Sequence, residues 1–241
     1  MKILVFQHLA VEHPGSFGDL WRRDGHELKT VELDEGESIP DLDDFDVLAV
    51  MGGPMDTWQE DVHPWLTAEK AAIRRWVKEM ERPYLGICLG HQLLADALGG
   101  KVSLMARPEV GLAKVELTKA GREDRLFQGV DGAFETLQWH GAEVSVLPEH
   151  GEILAANAAC PVQAMKWGRH AYGFQYHMEI TDRTVADWKV IPEYCASLEQ
   201  ALGAERAERL AGEVAPHLSA FQRAAERIND NFLAVVGRQV A

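Results

Sequence analysis

Cysteine is scarce in this chain. Only Cys88, Cys160 and Cys195 occur in 241 residues, at irregular spacing. An odd count with no CxxC pair excludes a disulfide framework and a thiolate metal site, and fits a reducing compartment such as the cytoplasm. Long apolar runs are absent too: none approaches the ~20 residues of a membrane span. The first residues, MKILVFQHLAVEHPGSFG, hold one lysine and a short apolar stretch with His8 close behind, which is not the pattern of a secretory signal. Positive charge is also in deficit. Lys and Arg number 24 against 38 Asp and Glu, for a formal charge of −14. Nucleic acid and anionic membranes both demand clustered basic residues, so neither is expected as a partner. No GxxxxGK[ST] loop and no GxGxxG spacing is found, so no nucleotide cofactor is expected.

The residues that are present alternate in character. KILVF at 2–6 reads as a strand buried on both faces. A helix over 15–24 stops at Gly25, and HELKTVEL at 26–33 alternates as a second strand. The acidic run from Asp34 to Asp46 reads as a solvated loop. DVLAVMGG at 46–53 is a third strand. Residues 65–80 carry an apolar helical stripe, and Pro83 opens a fourth strand that runs into Cys88 before a helix over 89–98. This order predicts an α/β fold, with a mostly parallel central sheet and helices on both faces. From 101 to 176, short strands such as GLAKVELT, FETLQWH and AYGFQYH predict a small antiparallel patch and a return to the main sheet. After Thr181 the pattern is helical, broken at Pro192 and Pro216. The expected organisation is one domain over 1–181 with a C-terminal helical extension over 182–241 packed on it. Its stripe residues Trp188, Tyr194, Leu198 and Leu202 are expected in the core.

Three stretches carry chemistry. In GICLG, Cys88 stands in G-x-C-x-G between an apolar strand and a helix, the context of a nucleophile elbow. A helix N-terminus favours a thiolate and offers free N–H groups to a developing oxyanion. In YGFQYHMEI, His177 and Glu179 are two apart in an extended run, so they share a side. A carboxylate beside an imidazole fixes its tautomer and supports its charge. In VMGGPMD, Gly52 and Gly53 end a strand and let backbone N–H groups face a ligand. Each stretch alone also fits an ordinary turn or surface strand end.

Taken in order, GGP, GICLGHQ and GFQYHME resemble the signature of the class I, triad-type glutamine amidotransferases. PEVGLAKVELT, LQWHGAEV and LPEHGEILAAN add a similarity to the amidotransferase domain of GMP synthase. The resemblance spans roughly residues 46 to 181 and implies a flavodoxin-like fold. It makes Cys88 the nucleophile, His177 the base and acid, and Glu179 the residue orienting His177. It places the oxyanion hole at the backbone N–H groups of Gly53 and Leu89, with Gly52 as an alternative to Gly53. It assigns Gln92 to substrate binding, with Gly141 a further candidate, and it implies no metal and no cofactor.

The chain departs from the family pattern at two places. Met178 stands where a proline is usual, and Trp139-His140 replaces a serine-containing segment. No synthetase domain is present, so two arrangements stay open. The chain feeds ammonia to a separate synthetase in trans, inactive alone in the extreme case, or it acts by itself on glutamine or small γ-glutamyl conjugates.

Overall fold

The computed structural model describes residues 1–237; the last four residues of the expected extension lie outside the described residues. Nine strands form one sheet in the order β2-β1-β3-β4-β9-β8-β7-β5-β6. The first half is parallel, as the alternation predicted: β2 (Glu27–Glu32), β1 (Lys2–Gln7), β3 (Val47–Val50), β4 (Tyr84–Ile87) and β9 (Ala171–Phe174). The second half is antiparallel and larger than short strands suggest: β8 (Ala164–Trp167), β7 (Gly151–Ala156), β5 (Lys101–Leu117) and β6 (Ala133–Val146). GLAKVELT is only the end of β5, which runs 17 residues. Its pairing with β6 shifts register between Leu104 and Glu109, so residues 105–108 bulge from the ladder.

Alternation along β1 shows how the layers form. Ile3 and Val5 face one side of the sheet, where α1 (Gly15–Arg23) packs Phe17 and Trp21 against them. Leu4 and Phe6 face the other, against Leu66, Ile73 and Trp76 of the helix α2 (Trp65–Arg74) and its continuation, and Leu93 and Leu94 of α3 (Leu89–Ala97). Each such side chain, fully buried, contributes ~1.5–3 kcal/mol relative to exposure. Trp76 lies in a π-helical turn over 75–79 and donates its indole N–H to the Pro83 carbonyl at 2.8 Å, which ties α2 to the start of β4.

A short helix α4 (Lys119–Glu123) follows β5, and the C-terminal helices are α5 (Thr184–Lys189), α6 (Pro192–Leu202), α7 (Ala204–Val214) and α8 (Leu218–Gly237). Pro192 opens α6, and Pro216 sits in the single 3-10 turn before α8. Trp188, Tyr194 and Leu198 are buried with Leu137 and Trp139 of β6, and Leu202 packs at the edge of that cluster. The extension also completes a layer. Ala225, Ile228 and Phe232 of α8 join the core on the α1 side, and Trp21 donates to the Asn229 side chain at 2.8 Å.

Among the described residues no helix is long and apolar enough to cross a membrane, and no cluster of side chains could hold a metal ion. The acidic side chains of the run are exposed, while Leu42 is buried and Ile39 and Phe45 pack partly against the core; Arg82 clamps the carbonyls of Leu42, Asp43 and Phe45 at 3.0, 3.1 and 2.8 Å.

Candidate active site

β4 and β9 are neighbours at the centre of the sheet, with Ile87 opposite Phe174. The chemistry-bearing residues follow directly from their carboxyl ends, where ligands of open parallel sheets are held.

Cys88 takes the cap position before α3 with φ 51° and ψ −103°. Such a conformation costs a non-glycine residue on the order of 1–3 kcal/mol and persists only where the surroundings impose it. The Cys88 N–H donates to the Phe174 carbonyl at 2.7 Å, and Gly90 donates to the Met51 carbonyl at 3.1 Å. The Tyr84 hydroxyl donates to the Gly90 carbonyl at 2.7 Å. The two flanking glycines are demanded by contact: a Cβ on Gly90 would lie 2.1 Å from the Val50 carbonyl oxygen, and one on Gly86 2.6 Å from that of Gly90.

Beyond β9 the chain stays extended, and His177 and Leu137 of β6 exchange backbone hydrogen bonds at 2.8 and 3.3 Å. His177 Nδ1 donates to Glu179 Oε1 at 2.7 Å, and the imidazole is close enough to Cys88 to feel its sulphur, whose thiol meets the Trp139 carbonyl at 3.9 Å. The second Glu179 oxygen accepts the Met178 N–H at 3.0 Å. That bond needs an N–H, which the usual proline would lack. The indole of Trp188 meets the His177 ring edge-on at 4.7 Å. Burial disfavours charge on His177, but the Glu179 carboxylate and the Cys88 sulphur outweigh it and hold its pKa well above the ordinary imidazole value. Two other groups of the same residue types are held neutral by burial. His91, in the elbow, is pushed down to about 3 by burial, and burial pushes the Cys160 thiol up to about 12.

Gly53 packs against Leu89: a Cβ there would lie 2.9 Å from Leu89 Cδ2. Leu89 opens α3, so its N–H has no partner within the helix. Gly53 lines the cleft with Cys88; Gly52 lies behind it, with its carbonyl taken by His8 and its Cα against Glu12. The cleft has a volume of about 400 Å³. Its floor is Trp139, His140 and Gly141 of β6, one wall is the bulge of β5, and the other is α6 through Glu193, Tyr194 and Ser197.

Gln92, on the first turn of α3, reaches the cleft but is already engaged. Its amide donates to the Ala142 carbonyl at 3.1 Å and to Gln175 Oε1 at 3.0 Å. Gln175 in turn donates to the Cys88 sulphur at 3.6 Å. His140 donates to Ala142 O at 3.0 Å and meets Glu109 at 3.2 Å, so the floor of the cleft belongs to one buried polar network.

Four groups in this neighbourhood escape sequence reasoning. Gln175 had a signal, since it stands two residues before His177 and therefore shares its side. Glu12, His8 and Glu69 had none, being isolated polar residues, the first two on the β1–α1 connection and the third on α2. Glu12 is buried beside Gly52 and bonded to the Tyr194 hydroxyl of α6. Burial, and to a lesser degree the negative charge of Glu179, raise its pKa from the ordinary 4.5 to about 6, against the opposing pull of His177, Tyr194 and His8.

A strained cysteine at a strand-to-helix turn, paired with a buried histidine and carboxylate from the neighbouring strand, defines a cysteine-dependent amide-cleaving fold of the amidotransferase kind. The model of the glutamine amidotransferase class-I family matches residues 20–187, and the chain belongs to that family. Glutamine amide hydrolysis is the general chemistry of this class. The chain is 32% identical over 190 residues to the glutamine amidotransferase-like protein YfeJ of Salmonella typhimurium, covering 77% of this chain and 78% of that one. It is 31% identical over 171 residues to one of the subunits of the glutamine-hydrolysing GMP synthase of Sulfolobus acidocaldarius, covering 70% of this chain and 86% of that one. Among solved structures, a glutamine amidotransferase of Thermotoga maritima shares the fold with a TM-score of 0.84 at 24% identity, over 96% of this chain and 97% of that one. SMU.1228c superimposes with a TM-score of 0.87 at 28% identity, over 97% and 100%.

Proposed function

We propose that the chain hydrolyses the side-chain amide of glutamine, or a related γ-glutamyl amide, through a thioester on Cys88. The observation that carries this reading is the buried grouping of Cys88, His177 and Glu179, with His177 Nδ1 held by Glu179 at 2.7 Å and its charge favoured by the Cys88 sulphur.

Cys88 passes its proton to His177 and attacks the carboxamide carbon. The carbonyl oxygen takes the negative charge and is received by the N–H groups of Gly53 and Leu89. As the C–N bond breaks, His177 returns its proton to the departing nitrogen, and ammonia or an amine leaves. Water then gives a proton to His177 while its oxygen attacks the thioester carbon. The C–S bond breaks, and glutamate is released. Glu179 holds the imidazole so that its other nitrogen faces the sulphur, and supports the imidazolium that forms in both halves. Gln92 and the Gly141 edge belong to the substrate's wall.

The leaving group is ammonia for a partner synthetase in trans, or an amine when the chain acts alone. Support for the first case is the similarity to a GMP synthase subunit. Support for the second is the room of the cleft, which extends from Cys88 to the β5 bulge and α6. The test is turnover of glutamine and of a γ-glutamyl amide panel by purified protein, with mass-spectrometric capture of a Cys88 γ-glutamyl adduct. Unchanged activity in Cys88→Ala overturns the proposal.

A further inference from the structure

A second buried histidine–carboxylate pair stands behind the GGP loop. His8, which follows β1, directs Nε2 at Glu69 Oε1 of α2 at 2.8 Å and Nδ1 at the Gly52 carbonyl oxygen, also at 2.8 Å. A carbonyl only accepts, so Nδ1 carries a proton; with Glu69 accepting as a carboxylate, Nε2 carries the other and the ring is an imidazolium. Both side chains are 0% exposed, and Trp65 stacks on the imidazole with ring centroids 5.4 Å apart. Burial opposes the charge on His8, but Glu69, the Gly52 carbonyl and Glu12 outweigh it and keep its pKa above the ordinary value. The other Glu69 oxygen is buried without a hydrogen-bond partner, so this carboxylate spends its bonding on His8 alone. An orphaned buried oxygen is uncommon and calls for a reason.

The peptide that His8 touches supplies that reason. The Gly52 carbonyl and the Gly53 N–H are two ends of one peptide unit. No described peptide is cis, so that oxygen and that hydrogen point in opposite directions. The oxygen faces the buried imidazolium. The N–H therefore faces the other way, on the side where Gly53 lines the cleft with Cys88 and packs on Leu89. A cation on the oxygen draws electron density through amide resonance and leaves the N–H more positive, as hydrogen bonds in series polarise one another.

We propose that the His8–Glu69 pair is a positioning and polarising device for the oxyanion hole: through the Gly52 carbonyl it fixes the plane of the Gly52–Gly53 peptide and strengthens the Gly53 N–H as a donor. The inference rests on the reading of Cys88 as nucleophile and Gly53 as oxyanion donor given above. His8 touches neither substrate nor sulphur; it acts through the backbone.

Removing an oxyanion donor outright costs about 10²–10³ in kcat, so weakening one should cost roughly tenfold. In Glu69→Gln, kcat on a γ-glutamyl amide is expected to fall about tenfold with KM changed less than twofold. Alkylation of Cys88 by iodoacetamide builds no oxyanion and should keep its wild-type rate. In ¹⁵N spectra of the wild-type protein, both His8 ring nitrogens should be protonated at pH 7, and the Gly53 amide proton should move upfield in Glu69→Gln. Unchanged kcat, a parallel loss of alkylation, or a neutral His8 ring in the wild type overturns the inference. Wild-type protein inert toward every γ-glutamyl amide overturns the hydrolase reading instead. The ring-nitrogen spectrum needs neither turnover nor the variant, so it still decides the state of the pair if Glu69→Gln fails to fold.

Discussion

The side-chain amide of Gln175 lies 3.6 Å from the sulphur of Cys88, across 87 positions of sequence, and its own oxygen accepts from Gln92. The amide thus reaches Cys88 from β9's end while being held by the helix that Cys88 caps. A hydrogen bond to a charged group contributes about 1.5–3 kcal/mol. Gln175→Leu should therefore slow alkylation of Cys88 at pH 7 by roughly tenfold or more. The same variant frees Gln92, so KM should rise along with the loss in kcat. An alkylation rate equal to wild type would show that the amide does not support the thiolate.

Replacing Glu179 tests the orientation of His177. Glu179→Gln removes the charge that keeps the His177 pKa up, leaving burial to push it down. General acid–base catalysis is worth on the order of 10²–10⁴, and most of that should disappear from kcat/KM. The linkage has a definite sign. A histidine whose folded pKa is raised adds stability in full below its unfolded value near 6.5, and that part is lost as pH rises through the folded value. The variant should therefore lose stability chiefly at and below neutral pH, and approach wild type in alkaline solution, as read by denaturant titration across pH.

Glu12 predicts the pH dependence of another acid. The folded protein holds this proton more tightly than the unfolded chain, since the carboxyl rises from 4.5 to about 6. Its contribution is complete below pH 4.5 and is lost as pH rises through 6, a difference of about 2 kcal/mol. Glu12→Gln carries no such loss. Measured against wild type, the variant should gain about 2 kcal/mol between pH 4.5 and pH 8. An unchanged difference across that range would mean that Glu12 titrates normally.

The elbow glycines allow a structural test. Gly90→Ala places a methyl group 2.1 Å from a backbone oxygen, where no side-chain rotation can relieve it. Over-packing of this kind costs at least about 1–3 kcal/mol, and the Met51–Gly90 contact that joins the elbow to the GGP loop would be the first to open. Thermal unfolding should shift down, and alkylation of Cys88 should change even in the fraction that stays folded. Gly212→Ala on α7, away from the cleft, is the control, because a Cβ there meets nothing within 4 Å.

Much of this was legible in the chain because the signals were local. The parallel half announces itself through continuous apolar strands, since a strand buried on both faces cannot alternate. The elbow is a contiguous pattern, and His177 and Glu179 are two residues apart, so their meeting required only an extended backbone. The antiparallel half was harder. β5 runs through polar and exposed residues such as Ser103 and Arg107, and its bulge breaks the period of two on which recognition depends. The groups around the site were harder still. His8 and Glu12 lie on the β1–α1 connection, Glu69 on α2 and Tyr194 on α6, and nothing in the spacing of one predicts the presence of another. The role of α8 was hidden for a similar reason: its stripe shows that it packs, and only the sheet shows that it shares a face with α1.

The pairing of β4 with β9 has a consequence for how such a protein can change. Cys88 and His177 follow adjacent strands whose separation is fixed by backbone hydrogen bonding, at about 4.8 Å. Everything between them in the chain after α3, from β5 to β8, is an excursion that departs from the middle of the sheet and comes back to the same place. The excursion supplies the floor and one wall of the cleft, and its backbone meets the trio at one point, where Leu137 of β6 pairs with His177. Lengthening it, shifting its bulge or exchanging its rim would reshape what enters while the reacting atoms keep their spacing. Selectivity and reactivity are thus carried by separable stretches of one polypeptide.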